Sequence, residues 1–392
     1  MPDRLRIAVV AACPFPLARG TPVRILRIAE ALAARGHEVH VATYHLGSGP
    51  VEHGVRIHRI ADVPSYTRLA PGPTYRKVIV VDRALRKLLR KLLRECKFDV
   101  IHAHHYEGIL VSAGSRPDRH VPLVYDAHTL LMSELPYYPL GLPGPVKRGV
   151  GRLLDRWLPS LADHTVSVTE TIREKLIRDA GIEPGVVSVV ANGVEVDHFD
   201  PARFPPRAAP GGRTLIFTGN LAEYQGIDLL LRAFAQVTPK VEDVRLRIAT
   251  ESPFQPYDAL ARELGVRDRI DVVASPPFKE LPRTLIDADI AMNPRVDCDG
   301  VPVKLLNYMA AGRPVVSFDS SAPGVVHGST GWLAPGSDIA AFAEGIVTLL
   351  NDPALAERLG QAARDYVVKN CSWDLAAERC ETLYRRLIAE RA

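Results

Sequence analysis

The sequence has little cysteine and no long apolar run. Its five cysteines are odd in number, scattered over 392 residues and never spaced as Cys-x-x-Cys, which fits neither a disulfide framework nor a zinc site. This usage favours a reducing, cytoplasmic compartment. No stretch approaches the roughly twenty apolar residues that span a bilayer. Asp3, Pro14 and Pro16 break up the N-terminal apolar region, so we expect a first strand and its loop there, not a signal peptide.

The chain also lacks a strong charge bias and a dinucleotide fingerprint. Lys and Arg (49) nearly balance Asp and Glu (45), and a net charge of +4 does not by itself argue for nucleic acid, so we expect no nucleic-acid partner. No G-x-G-x-x-G occurs, so nothing supports a nicotinamide or flavin site. A chain of 392 residues exceeds the size of one growing core, which predicts two domains.

Strand and helix patterns alternate along the chain, as they do in parallel α/β sheets. The first 44 residues read strand, loop, helix and strand, with Ile25, Ile28 and Leu32 on one helical face and Gly36 closing the helix. The stretch "DPARFPPRAAPGGR" predicts a linker, after which the alternation restarts. We therefore predict two Rossmann-like, doubly wound domains, with these boundaries: residues 1–199, a linker at 200–213, residues 214–371 and a C-terminal helix at 372–392.

Polar residues follow the strands of the first domain, at the edge where open parallel sheets bind ligands. Gly20 and Thr21 in "ARGTP" form either a phosphate-binding turn ahead of a helix or an ordinary turn. His128 ends the strand "PLVYDA" beside Asp126, and is either a group of the site or a satisfied structural histidine.

The segment "IHAHHYEG" contains three histidines and a glutamate, which raises the possibility of a metal site. His102 and His104 share one strand face while His105 points away, and no fourth ligand is in register. We expect no metal here, and a ligand-lining role for His104 or Glu107.

Two loops of the second domain are suited to binding an anion. Gly219 and Gly226 bracket the loop "TGNLAEYQG" ahead of a helix. In "DGVPVKLLNYMAAGRPVVSFD", residues 299–319, a loop leads into a short helix and then a buried strand. The N-terminus of that helix, with Arg295 and Lys304 nearby, favours a negatively charged ligand.

The ordered set of motifs resembles the family 4 glycosyltransferases of the GT-B fold over nearly the whole chain. The segments that carry the resemblance include "RGTPVRILRIAEALAARGHEVHVAT", "YDAHT", "VVANGVEVDHF", "FTGNLAEYQGIDLLLRAF", "VKLLNYMAAGRPVV" and "STGWLAPGSD". The resemblance implies two domains facing a central cleft, with the C-terminal helix crossing back to the N-domain. It implies an acceptor in the N-domain and a nucleotide-sugar in the C-domain.

The resemblance also assigns roles to single residues. Gly20 and Thr21 match the glycine loop that faces the donor phosphates, and His128 matches the histidine at the reacting centre. The family's glutamate pair falls on Asp299 and Asn307. The resemblance implies that His128 and Asp299 are the catalytic residues. On the acceptor side we place His104, Glu107 and Asp126.

The donor loop departs from the family pattern. Its usual arginine and lysine are replaced by Asn220 and Gln225, and the glycine after the first acid becomes Pro302. We hypothesise that Arg295 and Lys304 supply the missing positive charge. The other residues expected to bind the donor are Gly219, Gly300, Val301 and Leu305.

The implied activity is a metal-independent transfer of a sugar, with retention, from a nucleotide-diphosphate sugar to a glycan or lipid-linked acceptor. The nucleotide-sugar is a co-substrate, and no cofactor is expected. The rivals are a catalytically silent GT-B partner that binds a nucleotide or glycan and, less favoured, a sugar-nucleotide epimerase.

The segment "YRKVIVVDRALRKLLRKLLRECK", residues 75–97, predicts a basic amphipathic helix. Either its leucines pack on the sheet and its cations are solvated, or it contacts an anionic membrane, which would place the protein at the inner face of that membrane.

Overall fold

A computed structural model shows two compact units. It describes residues 4–17, 20–69, 72, 74, 76–116, 120–138, 141–205, 212–296 and 302–391. The first unit combines Met1–Gly193 with Trp373–Ala392, and the second is Val194–Ser372.

The first unit alternates strands and helices. Its elements up to residue 193 are β1 (Arg6–Ala11), α1 (Gly20–Ala34), β2 (Glu38–Thr43), β3 (Arg56–Arg59), α2 (Asp82–Glu95), β4 (Val100–His104), α3 (His105–Ala113), β5 (Leu123–Ala127), α4 (Leu131–Glu134), α5 (Gly144–Trp157), β6 (His164–Ser167), α6 (Glu170–Arg178) and β7 (Val187–Val189). A short π-helix, Lys77–Val81, runs directly into α2.

The second unit repeats the alternation. Its elements are β8 (Arg213–Thr218), α7 (Ile227–Val237), β9 (Val244–Ala249), α8 (Gln255–Glu263), β10 (Ile270–Val273), α9 (Leu281–Ile286), β11 (Ile290–Asn293), α10 (Val303–Ala310), β12 (Val315–Phe318), β13 (Trp332–Ala334), α11 (Ile339–Asn351) and α12 (Pro353–Asn370). The last helix, α13 (Trp373–Ala389), belongs to the first unit.

Each unit is built on one parallel sheet. The strand orders are β3-β2-β1-β4-β5-β6-β7 in the first unit and β10-β9-β8-β11-β12-β13 in the second. Both orders run outward in two directions from the first strand, which is the doubly wound arrangement. The predicted fold class of two Rossmann-like domains is confirmed. In such sheets the carboxyl ends of β1, β4 and β5 lie along one edge, and β4 and β5 pair so that His104 lies opposite Asp126.

Both faces of the first sheet are covered by apolar side chains. Valines and isoleucines of β1, β2, β4 and β5 meet α1 and α13 on one face, and the opposite face meets α2 and α3. The helix α13 contributes Cys380 and Tyr384, both fully buried. This packing explains why the last helix completes the first unit.

The boundary between the units lies earlier than the sequence placed it. Val194 donates its N–H to the carbonyl of Cys371 at 2.8 Å, and Phe199 is fully buried among residues of the second unit such as Ile216 and Tyr308. Residues 194–199 are therefore part of the second unit, because their apolar side chains pack there. Of the predicted linker, 206–211 lie outside the described residues.

The basic segment at residues 75–97 does not form one amphipathic α-helix with a free apolar face. The π-helix precedes α2, and Leu85, Leu89 and Leu92 are buried in the core of the first unit. The structure therefore favours the alternative in which the leucines pack, and most cations of α2 face solvent, whereas Lys77 of the π-helix is buried. Residue 75 lies outside the described part.

Among the described residues, no single helix has both the length and the apolar character needed to cross a bilayer. The consecutive helices α11 and α12 meet these criteria only as a pair, bent by 106°.

Candidate functional site

A buried ion pair lies at the carboxyl edge of the first sheet. Asp126, in β5, is fully buried, and Arg24 reaches it from α1 with its Nε 3.0 Å from Oδ2. The same guanidinium donates to Asn192 Oδ1 at 3.0 Å and to the carbonyl of Val190 at 2.8 Å. Burial alone would raise the pKa of Asp126, but the charge of Arg24 and the interactions with the surrounding histidines together outweigh it and lower this pKa well below its usual value. Asp126 is therefore a carboxylate at neutral pH.

Three histidines surround this carboxylate. His102 and His104, two residues apart on β4, both face Asp126 Oδ2, at 3.5 and 3.4 Å. His128 follows β5, and its Nε2 lies 3.1 Å from Nδ1 of His104. Tyr384 of α13 completes the cluster, with its hydroxyl 2.6 Å from Nδ1 of His102. The structure thus brings together three of the predicted residues, His104, Asp126 and His128.

The histidines nearest the sheet edge are neutral. Burial, helped by the neighbouring His102, lowers the pKa of His104 to about 4. Burial also lowers the pKa of His128 well below its ordinary value, although Asp126 opposes this. A neutral imidazole has one donor and one acceptor nitrogen, so each of these histidines can both donate and accept a hydrogen bond.

His102, His104 and Asp126 also satisfy the distance requirement for a metal site. One ligand atom from each lies within 4.8 Å of the others, and all three residues are buried. Arg24, however, already occupies Asp126 Oδ2, and its guanidinium charge would repel a cation placed there. The sequence raised a metal site that combined His102 and His104 with His105 and Glu107. These four residues do not form one site, because His105 and Glu107 pair with each other in a separate cluster.

His105 lies in a second buried cluster, between two carboxylates. Its Nδ1 is 2.5 Å from Glu107 Oε2, and its Nε2 is 3.4 Å from Glu134 Oε2. Lys77 also pairs with Glu107, and Thr129 donates to Glu134 at 2.6 Å. Burial opposes the charged imidazolium, but the two carboxylates outweigh it and raise the pKa of His105 to about 10. The predicted Glu107 is therefore held between two cations.

The backbone of His105 has a left-handed conformation, with a φ of 64°. This is uncommon for a residue other than glycine, although histidine adopts it more readily than most residues. It turns the chain sharply where β4 ends and α3 begins. As a result, His104 and His105 point into two different clusters.

We expect the stability of the first unit to fall as the pH rises from 6.5 to about 10, through His105. Its pKa is 6.5 ordinarily and about 10 in the folded chain, so the folded state holds the extra proton. The resulting stability is fully present below 6.5 and is lost as the pH rises through 10. The variant His105→Asn keeps a residue that tolerates the left-handed backbone and removes this titration. Hydrogen exchange of the β4 amides, measured across this pH range in the wild type and the variant, gives the difference between their stabilities. A difference that does not change with pH would contradict the prediction.

In the second unit, polar groups gather where β8 and β11 end. Lys304, in the first turn of α10, donates from Nζ to Gln225 Oε1 at 2.7 Å and lies 3.9 Å from the ring centre of Phe217. Arg295 follows β11 and lies over the ring of Tyr224 at 4.8 Å. The hypothesised cations, Lys304 and Arg295, thus contact the same loop that carries the neutral residue Gln225.

The loop after β8 is held by its own side chains. Gly219 adopts a φ of 124°, which favours glycine. Asn220 donates to the hydroxyl of Tyr224 at 3.2 Å and accepts from Gln225 at 3.4 Å. This loop is therefore ordered by neutral hydrogen bonds, and its positive charge comes from residues outside it.

The helix α10 starts without a side-chain cap. Pro302 precedes it and makes no capping hydrogen bond, and the first turn has no acidic residue. Asn307 lies on this helix, half-buried. Leu305 does not suit the predicted donor contact, because its side chain is fully buried and its N–H donates to the carbonyl of Pro302 at 2.9 Å. The predicted Asp299, Gly300 and Val301 lie outside the described residues.

In the glycine loop of the first unit, Gly20 is exposed and Thr21 half-buried. Gly20 begins α1 with a φ of 44°, and a Cβ there would meet nothing within 4 Å. The N-terminus of α1 is thus open at this position.

Sequence reasoning missed Arg24, Lys77 and Tyr384. Arg24 had a detectable signal, since it precedes Ile28 by four residues and so lies on the face of α1 that was predicted to be buried. Lys77 lies 30 residues from its partner Glu107, and Tyr384 lies 282 residues from His102. No local pattern shows contacts at such separations.

Two family models match this chain, one in each of its two units. The profile of Glycosyltransferase Family 4 matches residues 18–198, and that of Glycosyl transferases group 1 matches residues 212–352. The D-inositol 3-phosphate glycosyltransferase of Corynebacterium diphtheriae is 26% identical, over 97% of this chain and 94% of that protein.

Solved structures show the same fold. Sucrose-phosphate synthase from Thermosynechococcus elongatus has a TM-score of 0.80 at 21% identity, covering 99% of this chain and 100% of that one. HepE from Anabaena, solved in complex with UDP-glucose, has a TM-score of 0.70 at 16% identity, covering 97% of this chain and 99% of that one.

Proposed function

Because this chain belongs to the family 4 glycosyltransferases, we propose that it uses a nucleotide-diphosphate sugar as donor. The sugar is transferred with retention, and without a metal ion, to a hydroxyl of a glycan or lipid-linked acceptor. The observation that carries the proposal is the cationic group in the second unit. Lys304 and Arg295 meet the loop after β8, and the uncapped start of α10 carries Lys304. Cations beside a helix N-terminus are suited to a diphosphate.

The relatives support this kind of donor and this kind of acceptor. HepE was solved with UDP-glucose, and the corynebacterial relative is named for a polyol phosphate, D-inositol 3-phosphate. By analogy, the donor here is a nucleotide-diphosphate sugar, and the acceptor offers a hydroxyl. Tests with a panel of nucleotide-sugars would identify the base and the sugar of the donor.

The first unit supports retention through front-face attack. Asp126, the carboxylate that faces His128, is already engaged by Arg24, and Glu107 in the neighbouring cluster is engaged by Lys77 and His105. Neither is a free nucleophile. In the proposed step the bond from the anomeric carbon to the phosphate oxygen breaks as the acceptor oxygen bonds to that carbon. The acceptor proton passes to the departing phosphate.

Within this step the chain supplies position and charge. Neutral His128 hydrogen-bonds the donor sugar, and Lys304 with Arg295 stabilises the charge that grows on the diphosphate. Such preorganised electrostatic stabilisation is commonly the largest contribution to catalysis. The two cations take the place of a metal ion as the counter-charge.

The test is the anomeric configuration of the product, read by NMR from a reaction run in the presence of a chelator. We expect the donor's configuration to be retained and turnover to match that of a reaction without chelator. An inverted product would exclude front-face attack. Turnover that disappears with chelator and returns with added Mg²⁺ would exclude metal independence.

A second candidate function is a catalytically silent protein that binds the donor without transferring the sugar. The observation that favours it is the neutral character of Asn220, Gln225 and Asn307, where the family pattern has charged residues. Donor binding without product separates this function from a transferase.

A further inference from the structure

The helix α5 exposes a row of apolar side chains. Val146, Val150, Leu153 and Trp157 are spaced four, three and four residues apart, which places them on one helical face. Their exposed fractions are 48, 44, 68 and 46%. Tyr137 and Leu142, just before the helix, are exposed by 75 and 49%. A contiguous apolar surface of this kind marks an interaction site.

The opposite face of α5 explains why this row points outward. Asp155 is buried there and accepts hydrogen bonds from the N–H groups of Leu131 and Met132, at 2.8 and 2.9 Å. Gly151 packs so closely that a Cβ would lie 2.4 Å from the backbone nitrogen of Met132. The rotation of the helix is therefore fixed by a carboxylate and a glycine, although turning the apolar row inward would bury more apolar surface.

A lysine holds the preceding segment against the helix. Lys147 donates from Nζ to the carbonyls of Pro136 and Tyr138, at 3.1 and 2.7 Å. This ties the backbone on both sides of the exposed Tyr137 to α5. Tyr137 and the apolar row are thereby parts of one surface.

The exposed side of α5 is also strongly cationic. Arg148, Arg152 and Arg156 are exposed and follow each other at four-residue intervals. The only acid in the helix sequence is Asp155, which is buried and used by the backbone of α4. Two copies meeting through this face would oppose arginines with no acid on α5 to pair them, whereas anionic lipid headgroups would neutralise them.

From this combination we infer that α5, with Tyr137 and Leu142, docks on the surface of an anionic lipid bilayer. The valines, Leu153 and Trp157 enter the boundary between headgroups and acyl chains, where tryptophan and tyrosine are favoured. The arginines beside the row contact the headgroups. The proposed membrane surface of this chain is therefore α5, not the residue 75–97 segment, for which membrane contact was one of two alternatives.

The position of α5 also bears on the acceptor. Asp155 caps α4, whose last residue, Glu134, holds His105 in the cluster beside the sheet edge. Docking through α5 thus places this cluster close to the bilayer, which favours a lipid-linked acceptor. This second step rests on the proposed function, while membrane docking stands without it.

The experiment is co-sedimentation of the full chain with phosphatidylcholine vesicles that contain or lack phosphatidylglycerol. We expect binding only to the anionic vesicles. Each arginine near such a surface strengthens binding about fivefold, so Arg148→Glu with Arg156→Glu should weaken it by at least about 25-fold. Arg152 is left in place because it interacts with Asp179. Leu153→Ser with Trp157→Ser should also lose binding.

Two matched variants serve as controls. Lys87→Glu with Lys91→Glu reverses two exposed cations of α2, and Val368→Asp places a charge on an exposed valine of α12. Both should bind vesicles like the wild type. If the α2 variant lost as much binding as the α5 variants, the inference would be overturned. The same holds if the α5 variants bound normally, or if the wild type ignored anionic vesicles.

Trp157 gives a direct readout of the contact. Its fluorescence should shift to shorter wavelength on anionic vesicles, and Trp157→Phe should remove that shift while keeping most of the binding. A halved mass in light scattering for the α5 variants would instead identify the row as an interface between two copies. Vesicle binding without any sugar transfer would leave the docking intact and reject the proposed function.

Discussion

Replacing Asp126 by asparagine is expected to lower the free energy of unfolding of the first unit by about 3–5 kcal/mol. The substitution keeps the side-chain shape but leaves the guanidinium of Arg24, which is 3% exposed, without its carboxylate. Hydrogen exchange of the β4 and β5 amides is the suitable measurement, because it reports on this unit even if the two units unfold separately. Sugar transfer should fall too, since Asp126 also faces His104 and His128.

A double-mutant cycle separates the pair from its surroundings. Arg24→Met alone should also be costly, because it leaves a buried carboxylate. The combined variant, Arg24→Met with Asp126→Asn, should cost less than the sum of the two, since no uncompensated charge remains. Additive costs would show that the two residues act independently.

The control is an exposed ion pair of similar geometry. Arg245 contacts Asp271 through two hydrogen bonds, at 2.8 and 2.5 Å, but both side chains are well exposed. Asp271→Asn should therefore change stability by at most about 1 kcal/mol. An equal loss at both sites would show that burial is not the cause.

Replacing Lys304 by methionine is expected to reduce turnover by about 100- to 1,000-fold, the range seen when one group that stabilises developing charge is removed. Methionine removes the ammonium that lies over the ring of Phe217 but keeps an unbranched apolar side chain at this position, so the fold should be retained. Donor affinity, measured by calorimetry, should fall as well, because in the proposed site the lost charge faces the diphosphate already in the ground state. An unchanged thermal midpoint without ligand would show that the loss is chemical.

A second substitution tests whether the charge alone matters. Nζ of Lys304 lies 2.7 Å from Oε1 of Gln225, so a lysine at position 225 can place its ammonium nearby. Gln225→Lys in the Lys304→Met background should recover part of the turnover. Lys240→Met is the control, since Lys240 is exposed and precedes β9 at the opposite edge of the sheet. Normal turnover of the Lys304→Met variant would show that Lys304 contributes only to packing.

The fold could be predicted because local patterns determined it. The β-branched runs of "RIAVVA" and "PVVSF" and the helical faces between such strands led to parallel strands, and these led to shared carboxyl edges. That geometry also brings together residues at the carboxyl ends of neighbouring strands. His104 at the end of β4 meets Asp126 and His128 at the end of β5 for this reason.

The rest of the site depends on contacts that no local pattern contains. Arg24 lies on an apolar face, where a charge needs a distant partner, and the sequence does not say which of its many acids that is. Tyr384 joins the cluster only because α13 packs beside α1.

The exposed apolar row of α5 shows a second limit of prediction from sequence. Both α2 and α5 have apolar rows at helical spacing, but periodicity does not tell which face of a helix is buried. In α2 the leucines turn inward. In α5 the close packing of Gly151 and the hydrogen bonds of Asp155 turn the row outward.

Acceptor-dependent release of nucleoside diphosphate is the most direct test of the proposed transferase. The wild-type chain is incubated with a panel of nucleotide-sugars, with and without glycan and lipid-linked acceptors, and the diphosphate and the glycosylated product are both quantified. We expect release only when an acceptor is present, in proportion to product. Donor binding with no release under any acceptor would indicate a silent protein, and an isomerised nucleotide-sugar would indicate an epimerase; either result would contradict the proposed transferase.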